Sequence, residues 1–366
     1  MSSLGSQTDA DDVHARAFVA LAHTDLIGDV AERRSRGERG VLSRRHAATF
    51  RAGGVHCISD HVIGDTFEAQ CFPSCDILRA FYGGQPYSPS LAGHALKCLG
   101  FMLDDLDESG DSFALATSVG QIRSFASAGK ISVVLCSQGL GPLEDEPLLL
   151  DIYHRLGVRV LGMATRPGNA AVGTYATDPD HGLSGLGRMI VDLAQQLRIV
   201  LDLSAVSEPG FWEIVERTEG PLCASCTNAR ALCDTPRNFD DRQICALAAR
   251  RGVIGLMANA ALVRASPRPT LSDLVDHVDY IADLAGVDAV CIGPDLVEDS
   301  FYPMEIYRRM YGSEGAWSTE YPEGFTAHRD LVNITAELLR RGYSEGDVRK
   351  VLGENLLRVY GDVWNA

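Results

Sequence analysis

Short apolar runs alternate along the chain with longer stretches in which apolar residues recur every three or four positions. The short runs predict buried β-strands, and the periodic stretches predict amphipathic helices. Eight repeats of this alternation favour a closed, all-parallel (β/α)8 TIM-type barrel over an open sheet. The predicted strands are 18–23, 54–60, 131–137, 158–164, 199–205, 221–225, 252–258 and 289–293. The predicted helices are 146–156, 186–197, 208–217, 240–251, 271–285, 326–341 and 344–352.

The ends and two internal stretches fit this alternation least well. We predict that 26–50 and 61–95 form loops or short helices over the top of the barrel. The first residues are polar and acidic, which predicts a flexible N-terminal tail over 1–14. No linker rich in Pro, Gly or Ser divides the remainder, so 15–366 is predicted to be a single barrel domain.

The composition narrows the range of partners. Of the 366 residues, 46% are hydrophobic and 22% are charged, which is typical of a soluble globular protein. The net charge of −16 disfavours nucleic acid and anionic membrane surfaces as partners. No segment approaches the roughly 18 apolar residues of a membrane span, and the N-terminus is not typical of a signal or transit peptide. The ten cysteines are therefore expected to be reduced, and a cytoplasmic location is predicted.

His23 and Asp25 are the first candidates for chemistry. They stand at the end of the apolar run 18–22 and share its parity, so both side chains leave the same face of the predicted strand. In a barrel of parallel strands, residues at the carboxyl ends point into the active-site mouth. The pair would offer a metal ion one neutral nitrogen and one anionic oxygen, or would simply form a hydrogen-bonded pair in a polar pocket.

Ten short phrases connect the chain with a known family. They are AHTDL at 22–26, RAGGV at 51–55, AGKI at 128–131, YHRLGVR at 153–159, VLDLS at 200–204, NARA at 228–231, GVIGL at 252–256, DHVDYI at 276–281, IGPD at 292–295 and GENLLRV at 353–359. Over about 15 to 360 the chain resembles the renal (membrane) dipeptidase family, the M19 peptidases. The resemblance implies a distorted TIM-type barrel of the metallo-dependent, amidohydrolase-like type and a homodimer.

The same resemblance implies a metal site that this chain lacks in part. Family members hold two zinc ions with a His-x-Asp pair, a bridging glutamate and two later histidines. His23 and Asp25 match the pair, whereas Gln138 stands at the position of the bridging glutamate. Ala205 and Cys226 stand at the positions of the two histidines.

Three further positions carry over from the family. Asp295 matches the aspartate that activates the attacking water, and it joins His23 and Asp25 as a predicted catalytic residue. Arg230 is assigned the grip on the substrate carboxylate, and Thr165 replaces a histidine that helps to polarise the substrate. Gln138 and Cys226 complete the residues expected to face the substrate.

These replacements argue against a dinuclear site. Two divalent cations about 3.5–4 Å apart are held together by shared anionic oxygen, which the neutral amide of Gln138 cannot supply. Ala205 offers no ligand atom at all. We therefore expect no metal, with one zinc as the alternative, held by His23 and Asp25 with the Gln138 oxygen and the Cys226 thiolate.

Three functions stay open at this point. The favoured one is a repurposed enzyme that binds a small carboxylate derived from an amino acid or dipeptide. It would catalyse a reaction of this ligand without metal or with a single metal ion. The second is a non-catalytic pseudoenzyme that binds a ligand or a partner protein. The third is a working dipeptidase with a single zinc. Cys226 is also open to two interpretations, a small buried residue or a nucleophile paired with His23.

Overall fold

The structure, a computed structural model, describes residues 7–64, 90–165, 168–176, 181–266, 268–296 and 320–365. Its strands are β1 Val19–Thr24, β2 Val55–Gly64, β3 Phe113–Leu115, β4 Ile131–Gln138, β5 Val158–Gly162, β6 Val200–Asp202, β7 Cys223–Thr227, β8 Val253–Leu256 and β9 Val290–Ile292. The eight predicted strands correspond to β1, β2 and β4–β9.

The sheet closes on itself. The strands follow the order β2-β1-β9-β8-β7-β6-β5-β4, all neighbours are parallel, and β4 pairs with β2 to complete an eight-stranded barrel. The predicted TIM-type barrel is therefore confirmed. The short β3 was not predicted, because three residues are too few to show a period. Ser132 of β4 pairs with both Cys57 of β2 and Ala114 of β3, so β3 lies on the edge of β4 opposite β2.

Helices surround the barrel. They are α1 Gln7–Arg16, α2 Ile27–Ser35, α3 Ala47–Ala52, α4 Leu91–Glu108, α5 Val119–Ser127, α6 Leu149–Arg155, α7 Gly185–Gln196, α8 Glu208–Arg217, α9 Asp241–Ala249, α10 Ala260–Val263, α11 Leu271–Ala285, α12 Leu331–Arg340, α13 Glu345–Arg349 and α14 Asn355–Trp364. Two π-helical turns, Leu42–His46 and Lys350–Glu354, precede α3 and α14. Each of the seven predicted helices overlaps one of these. None of the described helices is both long enough and apolar enough to cross a membrane.

The predictions for 26–50 and 61–95 are met unevenly. The first stretch contains α2 and a π-helical turn, as expected for short helices. In the second, 61–64 belongs to β2 and 91–95 begins the 18-residue helix α4, while 65–89 lie outside the described residues. Helix α4 buries Ala95, Cys98, Leu99 and Met102 along one face, a spacing that the sequence already carried.

The N-terminal tail predicted over 1–14 is too long. Residues 7–16 form α1, which packs on α12; 1–6 lie outside the described residues. The buried His14 ties the helix down, because its Nδ1 lies 2.7 Å from Thr335 Oγ1 and its Nε2 lies 3.0 Å from the Gly53 carbonyl oxygen. Ala10 and Val13 add an apolar face that the acidic composition concealed.

The barrel interior is filled with small and β-branched side chains. Cys136 and Cys291 lie in this layer together with Val134, Val160 and Cys223. Helix α14 packs against the same layer, and its Tyr360 hydroxyl lies 2.5 Å from Ser59 Oγ. This packing leaves the carboxyl ends of the strands, on which the predicted site residues stand, as the mouth of the barrel.

Candidate functional site

His23 lies at the centre of the polar residues in the mouth. It is buried near the end of β1, and its ring is held by Ser225, whose Oγ lies 3.0 Å from Nδ1. Its Nε2 faces two carboxylates, Asp25 Oδ2 at 3.7 Å and Asp295 Oδ1 at 4.0 Å. The three residues predicted to be catalytic therefore lie together.

Two carboxylates and a cysteine influence the charge state of this cluster. Burial by itself lowers the pKa of His23, but the neighbouring Cys226, Asp295 and Asp25 outweigh it and raise that pKa well above its ordinary value. Burial raises the pKa of Asp25, and the charge and hydrogen bond of His23 reverse this shift and leave the pKa lowered. An imidazolium of His23 beside an ionised Asp25 carboxylate is thus the favoured state of this pair.

Asp295 follows β9 and has a backbone conformation that is uncommon for residues other than glycine. Its φ is +53°, in the left-handed region, which aspartate tolerates better than most side chains. The hydroxyl of Tyr321 donates to its carbonyl oxygen at 3.2 Å. This backbone directs the carboxylate toward His23.

Gln138 and Ala205 occupy two of the positions to which the family resemblance assigns metal ligands. Gln138 ends β4, and its side-chain amide nitrogen lies 3.4 Å from His23 Nε2. Ala205 is buried beyond β6 and offers only a methyl group. The mouth therefore has no anionic oxygen at the position of the bridging glutamate.

Cys226 on β7 is paired with an arginine that sequence reasoning missed. Arg237 is buried, its Nη2 donates to Cys226 Sγ at 3.2 Å, and its Nη1 donates to the carbonyl oxygen of Ser204. The guanidinium also lies over the ring of Tyr175, 5.7 Å from the centroid. A cation thus stands directly beside the sulfur.

Arg230, predicted to hold the substrate carboxylate, donates hydrogen bonds within its own loop. Its Nε donates to the carbonyl oxygen of Asn238 at 2.9 Å, and its Nη2 donates to that of Pro236 at 3.3 Å. Thr165 follows β5, and its carbonyl oxygen accepts from the Gly168 amide at 2.7 Å. The guanidinium that reaches the cluster is that of Arg237.

Asp202, at the end of β6, fixes the strand ends around the cluster. Its Oδ1 accepts hydrogen bonds from the Ser204 amide at 3.0 Å, the Ser204 hydroxyl at 2.5 Å and the Ser225 amide at 2.9 Å. Burial raises its pKa, but the His61 imidazole and these donors outweigh burial and hold the pKa well below its usual range. Asp202 thereby orients Ser225, which in turn orients His23.

His61 is the second residue that sequence reasoning missed. Its ring stacks on that of His23, with centroids 3.8 Å apart and an angle of 24° between the planes. Its Nε2 lies 3.8 Å from Asp202 Oδ2, beyond hydrogen-bond distance. A signal was present, since His61 follows the second predicted strand directly, much as His23 ends the first.

Within the part of the chain that the structure describes, two overlapping groups of side chains could hold a metal ion. One is His23, Asp25 and His61; the other is His23, Cys226 and Asp295. Within each group all ligand atoms lie within 4.8 Å of one another, and His23 Nε2 is 3.7 Å from Asp25 Oδ2 and 4.0 Å from Asp295 Oδ1. Because both groups use His23 and no carboxylate bridges them, this donor set fits one ion rather than two.

The matches to known proteins agree with the motifs. Residues 94–304 and 312–366 match the family model described as membrane dipeptidase, peptidase family M19. The chain belongs to this family. The family prediction made from the sequence phrases is thereby confirmed.

Individual relatives are more distant. Dipeptidase tcpJ of Claviceps purpurea is 28% identical over 256 residues, which cover 69% of this chain and 56% of the fungal protein. A metallo peptidase from Rhodobacter sphaeroides, solved with a phosphinate mimic of the dipeptide L-Ala-D-Ala, has a TM-score of 0.78 and 22% identity over 95% of this chain and 99% of its own. The probable dipeptidase PvdM of Pseudomonas aeruginosa has a TM-score of 0.79 and 18% identity, with 98% of both chains covered. At these identities the two solved structures support the fold alone.

Proposed function

We propose that this member of the dipeptidase family binds a small carboxylate derived from an amino acid or dipeptide in the barrel mouth and transforms it there with no more than one metal ion. The observation that carries the proposal is the composition of the mouth. His23, Asp25 and Asp295 lie together, whereas Gln138 and Ala205 supply neither the bridge nor the nitrogen that a second ion would need. The predicted homodimer and cytoplasmic location stay predictions.

Arg237 is the residue that we assign to the carboxylate of the ligand. A guanidinium has five N–H donors, and the contacts with Cys226 and Ser204 use only two of them, so others are available for a ligand. Because Arg237 is buried, a carboxylate bound to it would be largely shielded from water, which strengthens the pair. The neutral amide of Gln138 adds a polar contact near His23.

Asp295 and His23 are the groups placed to move protons. The imidazole of His23 is oriented by Ser225, and the Asp295 carboxylate at 4.0 Å can accept a proton from a water molecule that attacks a bound carbonyl group. A single divalent ion held by His23 and Asp25 would instead polarise that carbonyl group and acidify the water, and Asp295 alone would then accept the proton. The reaction class that this arrangement supports is hydrolysis of a carbonyl derivative.

Metal content tests the proposal. We expect inductively coupled plasma mass spectrometry to find at most one equivalent of metal per chain, in protein purified without chelators and again after soaking in zinc. The same measurement on Cys245→Ser controls for adventitious binding, because Cys245 is an exposed thiol. Two equivalents in both proteins would contradict the proposal, and hydrolysis of a dipeptide panel by each preparation shows whether activity follows the metal.

A further inference from the structure

Both ring nitrogens of His61 are buried, and neither has a hydrogen-bond partner among the described residues. The side chain is only 1% exposed. A buried polar atom without a hydrogen-bond partner is energetically unfavourable, so such groups are rare outside functional sites. The ring projects into the mouth, stacked on His23 and within reach of Asp25.

We infer that His61 is a metal ligand and that it completes, with His23 and Asp25, a His2Asp site for one divalent transition-metal ion. This inference rests on the proposed function, in which the mouth holds no more than one ion. Three protein ligands and an open position are the usual set of a catalytic zinc site. His61 would take the place in the coordination shell that the neutral Gln138 cannot fill.

The alternative group, with Cys226 and Asp295, is less suited to a cation. The Cys226 sulfur already accepts a hydrogen bond from Arg237, and that guanidinium would repel an incoming metal ion. Binding at His61 breaks no hydrogen bond with a described residue, because its nitrogens have none to lose. The positive charge of Arg237 beside Cys226 and the unpartnered nitrogens of His61 therefore both favour the group with His61.

The surroundings of the two imidazoles suit this role. Metal-bound histidines usually direct their second nitrogen to a polar group, which fixes the ring. His23 Nδ1 already contacts Ser225 Oγ at 3.0 Å and leaves Nε2 to face Asp25. His61 Nε2 faces Asp202 Oδ2 at 3.8 Å, so a modest rotation of the ring would form that hydrogen bond and leave Nδ1 for the ion. The same rotation opens the stacked arrangement, which two ligands of one ion cannot keep.

Competition against a chromophoric chelator measures zinc and cobalt affinity in the full-length chain. We expect one equivalent in the wild type and at least about a tenfold weaker Kd in His61→Phe, which keeps an aromatic ring against His23 but has no nitrogen. His61→Asn is a second variant that removes the imidazole, and thermal melting verifies that His61→Phe and His61→Asn are folded. His154→Phe is the matched control, because it removes a histidine from α6, and it should bind like the wild type.

The absorption spectrum of the cobalt form distinguishes the two groups. A thiolate ligand gives an intense charge-transfer band in the near ultraviolet. We expect the wild-type cobalt form to show no such band, and we expect Cys226→Ser to bind the metal with unchanged affinity. A band that disappears in Cys226→Ser, or equal affinities in His61→Phe and the wild type, would overturn the inference and leave the proposed function standing. If no metal binds while calorimetry still detects binding of a dipeptide, the inference also fails and the site works without metal. Two equivalents would contradict both.

Discussion

Arg230 and Arg237 stand on the same loop after β7, but their guanidinium groups face different surroundings. Arg230 donates to carbonyl oxygens of that loop, whereas the buried Arg237 reaches Cys226 and Ser204. The loop folds back because the Arg230 amide donates to the Phe239 carbonyl oxygen at 2.8 Å. In this loop conformation, the guanidinium of Arg237 is the one that contacts Cys226.

At the residue scale, we predict that Arg237→Met weakens binding of a dipeptide or amino acid far more than Arg230→Met. Loss of a charge-assisted hydrogen bond costs about 1.5–3 kcal/mol, or roughly a 10- to 150-fold higher Kd. Isothermal titration calorimetry measures both variants, and circular dichroism verifies that the buried substitution folds. A larger loss in Arg230→Met would restore the assignment made from the sequence.

Among the outer helices, α11 and α12 are joined by a network of charges around Arg341. Its Nε donates to Glu337 at 2.8 Å, its Nη1 donates to Asp276 at 2.9 Å and Asp279 at 2.5 Å, and its Nη2 contacts Ser272. Arg341 is only 12% exposed, so these hydrogen bonds are partly shielded from water. Hydrogen bonds from Arg340 and Arg341 lower the pKa of Glu337 to about 2.

At the element scale, we predict that Arg341→Met lowers the free energy of unfolding by about 1–3 kcal/mol, between the values typical of exposed and buried ion pairs. Arg340→Met is the control. Arg340 also contacts Glu337 but is 53% exposed, so its loss should cost about 0.5 kcal/mol. Urea unfolding monitored by circular dichroism compares the two, and equal losses would show that the network does not join the helices.

For the whole molecule, two glycines set the spacing of the barrel beneath the site. A Cβ atom on Gly255 of β8 or on Gly293 after β9 would overlap the Ser225 carbonyl oxygen. Ser225 in turn contacts His23 Nδ1. Close packing of three strands therefore controls the orientation of the central histidine.

We predict that Gly293→Ala destabilises the barrel by about 1–3 kcal/mol, the usual cost of overpacking, and also disturbs His23. Gly346→Ala is the matched control, because it lies in α13 with no atom closer than 3.6 Å to the added methyl group, and it should be neutral or slightly stabilising. Differential scanning calorimetry measures stability, and the His23 NMR signals report the ring environment. An unchanged melting temperature for Gly293→Ala would contradict this account of the packing.

Individual elements show how far the sequence could lead. The apolar runs located all eight barrel strands, since a strand buried on both faces needs continuous apolar residues. They missed β3, which is too short for a period, and α1, whose apolar face is small. Sequence reasoning placed the candidate site at His23, Asp25 and Asp295, which stand at the carboxyl ends of the neighbouring strands β1 and β9. Arg237 was missed because its contact with Cys226 depends on how the loop after β7 folds. His61 was missed because its contact with His23 joins rings from two different strands.

The sequence by itself determined the closed parallel barrel and the family. The barrel follows from the period of the apolar residues, and the family follows from short motifs that the chain shares with it; both are local properties of the chain. Only the tertiary structure decided which arginine enters the mouth and that a second histidine lies against His23. Those are contacts between residues far apart in sequence, and they depend on strand register, loop hydrogen bonds and glycine-controlled spacing, which no local pattern encodes.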